Sequence, residues 1–364
     1  MSGWRLRSAI SGRRSLALVT ALVASGILLA APAKGHTPPA PPLTAAQAWP
    51  RAHAASTPSD LPDGTPYQPA VFLTVGDSVG TAPTHDGKYL RVVERRSDGT
   101  VRQLRRLPVA LGLTLPAVTV AGGLLIWVES TAHRLELWSL NLAGSHPPQR
   151  ITADLGDARF YQSQYDLVVA EGRVHWVAAG PHNDTEVRSV ALGGGSVDVR
   201  DEPGEWALSA WPWLVNGVTA GGGATTLRNI ITGSAQAVPT SKHGVTACSP
   251  DWCQMVSFTK DGDAHIEVMH PDGGARRTAA VGATTTVIAD VVVLDRFEVV
   301  SQQTATSDLT GDIQLLVYDV KTRSTIEISP DAFDVSYEAG VLWWSSGIQQ
   351  TQSFLRHALD LRTV

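Results

Sequence analysis

Charged residues are scarce in this 364-residue sequence, at 17%, and the chain has three methionines and two cysteines. Four of its 29 basic residues (Arg5, Arg7, Arg13, Arg14) fall in the first 33 positions, which contain no acid. The remainder holds 25 basic residues against 34 acidic, a balance of −9. That argues against a nucleic-acid binder, which needs a cationic surface to displace phosphate counterions. No sustained 3.6-residue apolar period follows residue 67, so helices are expected to be few. The eleven histidines form no H-x-H or H-E-x-x-H pattern, so no metal site is signalled. The one long apolar run, Leu16 to Ala31, is 16 residues, short of the roughly 20 that span a bilayer as a helix.

What is present points to export and to β-structure. Apolar residues make up 43%, while 33 Gly and 22 Pro suit many short strands joined by tight turns. Residues 1–33 read as a signal peptide: arginines, the apolar run, then Ala31-Pro-Ala33 as a cleavage site. Arg13-Arg14 fits a twin-arginine export signal as well as a general basic region, and an uncleaved anchor is the alternative to cleavage. No cysteine stands near the cleavage site, which excludes a lipoprotein anchor of the usual kind. Residues 34–66 carry eight prolines and read as a disordered tether, leaving 67–364 as the folded domain. The cysteines, Cys248 and Cys253, flank Ser-Pro-Asp-Trp. In an exported chain that pair reads as a disulfide closing a turn. A redox pair usually has two intervening residues, and a zinc site needs four ligands.

Self-similarity organises the rest. Gly123-Leu-Leu-Ile-Trp127-Val, Gly172-Arg-Val-His-Trp176-Val and Gly340-Val-Leu-Trp-Trp344-Ser share G-x-[LV]-x-W-[VS]. Each is followed by a second strand ending in leucine, 15, 16 and 17 residues beyond its tryptophan. Weaker copies start at Gly87, Gly217, Asp251 and Asp290, and the mean spacing of about 42 residues is that of a four-stranded propeller blade. The folded part then has room for seven blades, or six if loops are long. Strands such as Leu124–Val128 are apolar on both pleat faces, as expected of sheets packed between neighbours. Asp-Gly pairs at 98–99, 261–262 and 272–273 predict two-residue hairpin turns with positive φ at both positions.

The export signal, Pro-rich tether, repeated G-x-[LV]-x-W strands, Asp-Trp-Cys turn and terminal Leu-Asp-Leu-Arg-Thr resemble exported TolB-like (WD40-like) β-propeller proteins of high-GC bacteria. The resemblance covers roughly residues 60–364. It implies an all-β propeller and, by analogy with TolB, an envelope scaffold that binds other proteins. It assigns no binding residue.

Catalytic signals do not survive their context. Gly76-Asp-Ser78-Val-Gly80 has the form G-x-S-x-G, but turn residues follow it where a hydrolase has a helix. His175 and His357 sit inside repeat strands and read as packed or rim histidines. Asp261-Gly-Asp263 and Asp308-Leu-Thr-Gly-Asp312 offer two carboxylates each, which suits a turn better than calcium. Trp127, Trp138, Trp176 and Trp344 read as inter-blade packing. Trp206, Trp211 and Trp213 fall outside the shared pattern and form a candidate platform for a sugar or peptide. No catalytic residue, cofactor or metal is expected.

The expectation is therefore an exported, non-enzymatic propeller binding a protein or glycan at the cell envelope. It would be monomeric and touch membrane only through its N-terminal segment. The alternative is a propeller-fold lyase or hydrolase with its site in the axial funnel, which converging Asp, Glu, His or Arg side chains would favour. The last repeat has room for three strands, so the strand near Val71 to Val75 is expected to complete it.

Overall fold

Strands that are apolar on both faces need a sheet on each side, and a ring of radially packed sheets provides that without an edge strand in the core. The computed structural model describes residues 41–144, 146–218, 221–348 and 353–364. The expected signal peptide and the start of the tether lie outside the described residues. Seven blades follow one another along the chain as those of a propeller, the last two joined in one eight-stranded sheet. Blade 1 comprises Gln68–Phe72, Ser78–Pro83, Tyr89–Arg95 and Val101–Pro108; blade 2 comprises Val118–Ala121, Leu124–Ser130, Leu135–Asn141 and Gln149–Thr152. Blade 3 has a divided inner strand, Asp157–Arg159 and Val168–Ala170, followed by Arg173–Ala179, Thr185–Ala191 and Asp198–Glu202. Blade 4 runs over 206–237 and blade 5 over 244–282, each with four strands.

Blades 6 and 7 share a strand. Thr284–Thr286, Phe297–Gln302 and Ile313–Asp319 lead into Ser324–Glu338, whose first half pairs back from Asp319↔Ser324 to Ile313↔Ala332. Its second half pairs forward, from Phe333↔Ser345 to Glu338↔Val341. It is thus the outer strand of blade 6 and the inner strand of blade 7, which continues through Val341–Ile348 and Ser353–Asp360.

The ring closes at a different segment from the one expected. Val71 belongs to the inner strand of blade 1, and the fourth strand of blade 7 is His53–Pro58, paired from His53↔Asp360 to Pro58↔Leu355. This strand comes from the stretch read as tether. Its small side chains misled because an outermost strand buries little, so backbone pairing can hold a segment with almost no apolar content. Upstream, Leu43–Thr44 lies parallel to Ile326–Glu327 on blade 6, and Trp49 meets Phe297 edge-on at 5.5 Å. His357 fastens the closing strand: Nδ1 bonds Ser56 Oγ at 2.7 Å and Nε2 bonds Ser346 Oγ at 2.8 Å.

The repeat tryptophans pack between blades. Trp127 (1% exposed) meets Val71 and Val92 of blade 1, and Trp176 (0%) meets Ile126 and Leu137 of blade 2. Trp344 meets Val299 and Val317 of blade 6. Three weaker repeat copies were out of register: in blade 4 the second strand, Trp213–Asn216, ends before Gly217. Tyr89–Arg95 is the third strand of its blade, because the second, Ser78–Pro83, carries no tryptophan. A Cβ on Gly80 would stand 2.1 Å from the Gln68 carbonyl oxygen, so that strand is kept small by backbone approach. In blade 6, Asp290-Val-Val-Val-Leu294 is irregular, and the second strand begins at Phe297.

Cys248 and Cys253 are bonded and face each other across the first hairpin of blade 5. The Asp-Gly turns are longer than expected. In each, only the glycine has positive φ, and the flanking bonds, such as Arg96 N–H to Thr100 O and Gly99 N–H to Arg96 O, form a type I turn with a bulge.

Candidate functional site

The inner strand of blade 3 breaks where the ring narrows. Arg159 pairs with Val177 and Val168 with His175, so residues 160–167 stand opposite a single partner position and must leave the sheet. Asp166 shapes this excursion: its carboxylate accepts the Tyr161 N–H at both oxygens, 2.9 Å each, and the Ser163 N–H at 3.3 Å. The tip reaches blade 6, where Ser163 Oγ donates to Asp290 Oδ1 at 2.6 Å and the Gln164 N–H to Oδ2 at 3.2 Å. Blades 3 and 6 lie on opposite sides of a seven-membered ring, so this contact crosses the axis and plugs it.

Buried acids surround the plug. Asp166 and Asp290 are 7% and 5% exposed, and Glu338, ending the inner strand of blade 7, is 8% exposed. Burial pushes the Asp166 carboxyl up to about 7 and that of Asp290 up to about 6, since each is held away from water. Glu338 is raised well above the usual range, by burial first and then by the charges of Asp290 and Asp166. Glu298 nearby, fully buried, is pushed up to about 8 by desolvation while accepting from Gln254 and the Val292 N–H. Within this group the bonds to Asp166 and Asp290 come from the plug itself. Among the described residues no three His, Cys, Asp or Glu side chains are grouped to hold a metal ion.

Beside the plug lies a cavity of about 230 Å³, lined by Tyr161, Ser163, Leu208, Thr246, Cys248 and Asp290 among others. Its outer wall is the loop of blade 4 that folds over blade 5, where the Ala224 N–H donates to Thr246 O at 2.6 Å. A Cβ on Gly223 would stand 2.1 Å from that oxygen, so the approach requires glycine. A second cavity of about 440 Å³ shares Tyr161, Ala207, Gly217 and Val218 with the first and runs out between blades 3 and 4 past Arg159 and Trp206. Together they offer an apolar recess with hydroxyls and one carboxyl, opening into a polar groove.

The three tryptophans singled out in the sequence are not brought together. Trp206 pairs with Asn216 and Trp213 with Asn229, and the alternation along these strands puts the two on opposite faces of blade 4. Trp206 and Trp211 pack toward blade 3, whereas Trp213 packs toward blade 5. Trp206 lines the groove; Trp211 stacks on His175 at 3.7 Å elsewhere in the same interface. Ser78 is buried, opens the second strand of blade 1 and accepts from Tyr67 Oη at 3.0 Å, so the G-x-S-x-G segment runs from a blade turn into a strand. Asp166, Asp290 and Glu338 were missed. Their one trace in the sequence was spacing: the repeat intervals from 123 to 172 and from 290 to 340 are the longest.

No protein-family profile and no curated protein matches the chain. Among solved structures, an uncharacterized protein from Listeria monocytogenes EGD-e is similar with a TM-score of 0.51 at 11% identity, over 79% of this chain and 93% of that one. Oligogalacturonate lyase, solved in complex with manganese, is similar at 0.50 and 10% identity, over 85% of this chain and 98% of that one. TolB from Acinetobacter baumannii also matches, at 10% identity over 77% of this chain and 55% of that one, but its TM-score of 0.29 carries no argument about kinship. At such identities the likeness shows the propeller fold and nothing finer.

Proposed function

We propose that the protein is an exported binding propeller that takes a protein or glycan partner of the cell envelope in the cleft between blades 3, 4 and 5. The observation that carries this reading is the plugged axis. The Ser163–Asp290 bond closes the channel and commits two of the buried acids to holding the plug, which leaves a recess fit for recognition. An apolar side chain or sugar face would enter beside Tyr161, while the groove past Trp206 would meet polar atoms. Export rests on the sequence of residues 1–33, and the Cys248–Cys253 bond is consistent with an oxidising compartment. The TolB-like kinship belongs to this proposal and rests on the sequence motifs.

The experiment is site-specific photo-crosslinking in the native envelope, with the probe at Val218 on the cleft rim or at Val281, an exposed residue on the outer strand of blade 5. The expected result is partner capture from 218 alone, lost when Leu208→Trp fills the recess. Equal capture from both positions, or capture that survives the filling, would overturn the proposal.

A second reading, a lyase or hydrolase in the funnel, is favoured by the raised Asp290 carboxyl at the cavity wall, a group able to exchange a proton near neutrality. The described residues lack a metal-holding group, so a manganese-dependent reaction is not carried over. Turnover of any glycan or peptide that disappears in Asp290→Asn would establish this reading.

A further inference from the structure

Among the described residues three arginines are buried: Arg95, Arg188 and Arg356. Arg188 has two carboxylates, Asp154 at 2.6 Å and Glu186 at 2.5 Å. Arg95 and Arg356 have none within ion-pair distance, and both stand in the seam where blade 7 meets blade 1. Arg356, 4% exposed, donates to Ser345 Oγ (3.1 Å), the Tyr67 carbonyl (3.2 Å) and Gln68 Oε1 (2.8 Å), all neutral acceptors. Its Nε is buried with no acceptor at all. Arg95 is answered by the Pro58 carbonyl at 2.7 Å. A buried guanidinium with no carboxylate bonded to it is costly, and the charges of Asp334 and Asp60 reach Arg356 only from a distance, so the seam leaves a contact position on Arg356 for a ligand anion.

Space for one is present. Arg356 lines a cavity of about 440 Å³ whose other walls include Tyr67, Leu90, Phe333 and Phe354. Phe333 and Phe354 meet edge to face at 5.4 Å, and the Arg356 guanidinium lies 5.2 Å from the Phe354 ring. Asp60 and Asp334 are exposed and also line the cavity. Their charges disfavour a multiply charged anion such as phosphate and leave room for a singly charged one with an apolar body.

We propose that this seam cavity is a second binding site, for a small monocarboxylate whose carboxylate meets Arg356 and whose apolar body lies against the Phe333–Phe354 pair. Such a ligand would bridge blade 7 and blade 1. The site shares no lining residue with the axial cleft, so it stands or falls independently of the cleft's function.

The test is calorimetric titration of the mature protein with phenylacetate, with phenylacetamide as the uncharged isostere and inorganic phosphate as the bare anion. Phenylacetate should bind and the other two should not. Arg356→Met should weaken binding at least about 30-fold, as loss of one member of a buried charge pair does, and Arg356→Lys should restore part of it. Phe354→Ala, at the partly exposed rim, should weaken binding while leaving the melting temperature in place, which keeps the test decisive if the Arg356 variants do not fold. Equal binding of the amide, binding of phosphate in preference to phenylacetate, or binding undiminished in Phe354→Ala would overturn the proposal, as would no binding of phenylacetate.

Discussion

The seam between blades 1 and 2 and the closing seam between blades 7 and 1 handle buried charge in opposite ways. In the first, Glu129 is 1% exposed, yet Arg105 meets both its oxygens at 3.0 Å and Trp127 Nε1 donates at 3.1 Å. The Arg105 guanidinium also lies 3.7 Å from the centroid of Trp138. Charge there is neutralised within an apolar interlock. The closing seam must let residues 59–67 cross from the last strand of blade 7 to the first of blade 1. That passage inserts Leu61 and Tyr67 into part of the seam, beside the contact of Trp343 in blade 7 with Phe72 in blade 1 at 5.5 Å. A cavity remains, lined by Arg356, and the two buried arginines of the seam, Arg95 and Arg356, bond only neutral acceptors. Ring stability is therefore concentrated in the tryptophan seams and in backbone pairing at the closure.

The largest test of this contrast is truncation. Deletion through Pro58 should lower the melting temperature by about 10 °C or more, because an entire closing strand is lost; deletion ending at Pro41 should leave it unchanged. A wild-type melting temperature after the longer deletion would refute the closure. Next, Trp176→Ala should cost about 3–5 kcal/mol in denaturant titration, as emptying a fully buried aromatic site does. Glu129→Gln should cost about 3 kcal/mol by leaving Arg105 beside an uncharged partner, whereas Arg356→Met should cost less than about 2 kcal/mol, the worth of bonds to neutral acceptors. Equal losses in these two variants would erase the distinction between the seams.

The last test is pH dependence. Asp290 is raised from 3.8 to about 6, so between those values the folded state holds a proton that the unfolded state releases. Stability from this group falls as pH rises through that window, by roughly 3 kcal/mol in total. Burial depresses His175 and His357, which work in the opposite sense: they release protons on folding, and their contribution rises with pH up to the unfolded value. Comparison with Asp290→Asn isolates the aspartate. Identical stability-versus-pH curves for wild type and variant would show that its carboxyl does not titrate as expected.

Architecture was legible in the sequence because inter-blade packing writes itself into local pattern. Trp127, Trp176 and Trp344 recur at fixed distance from a turn glycine, and each fills the same kind of space between sheets. The blade count followed from their spacing. The closing strand was not legible, since His53–Pro58 is held by backbone pairing and one serine–histidine bond, and its composition is that of a linker. The site was hidden for another reason. Asp166, Asp290 and Glu338 lie far apart in the chain and belong to no shared motif; ring closure alone assembles them. The tryptophan run at 206–213 misled because Trp213 falls on the face of blade 4 opposite to Trp206 and Trp211.

Ser324–Glu338 also bears on how the ring comes apart. Elsewhere the strand is interrupted between one blade and the next, if only by the single residue Ala283 between blades 5 and 6. Here a continuous strand runs through both sheets, and Leu43–Thr44 is laid along it. Blades 6 and 7 are one mechanical piece. Under load or in partial unfolding the ring parts at another seam, and a circular permutant cut within this strand forfeits two blades at once.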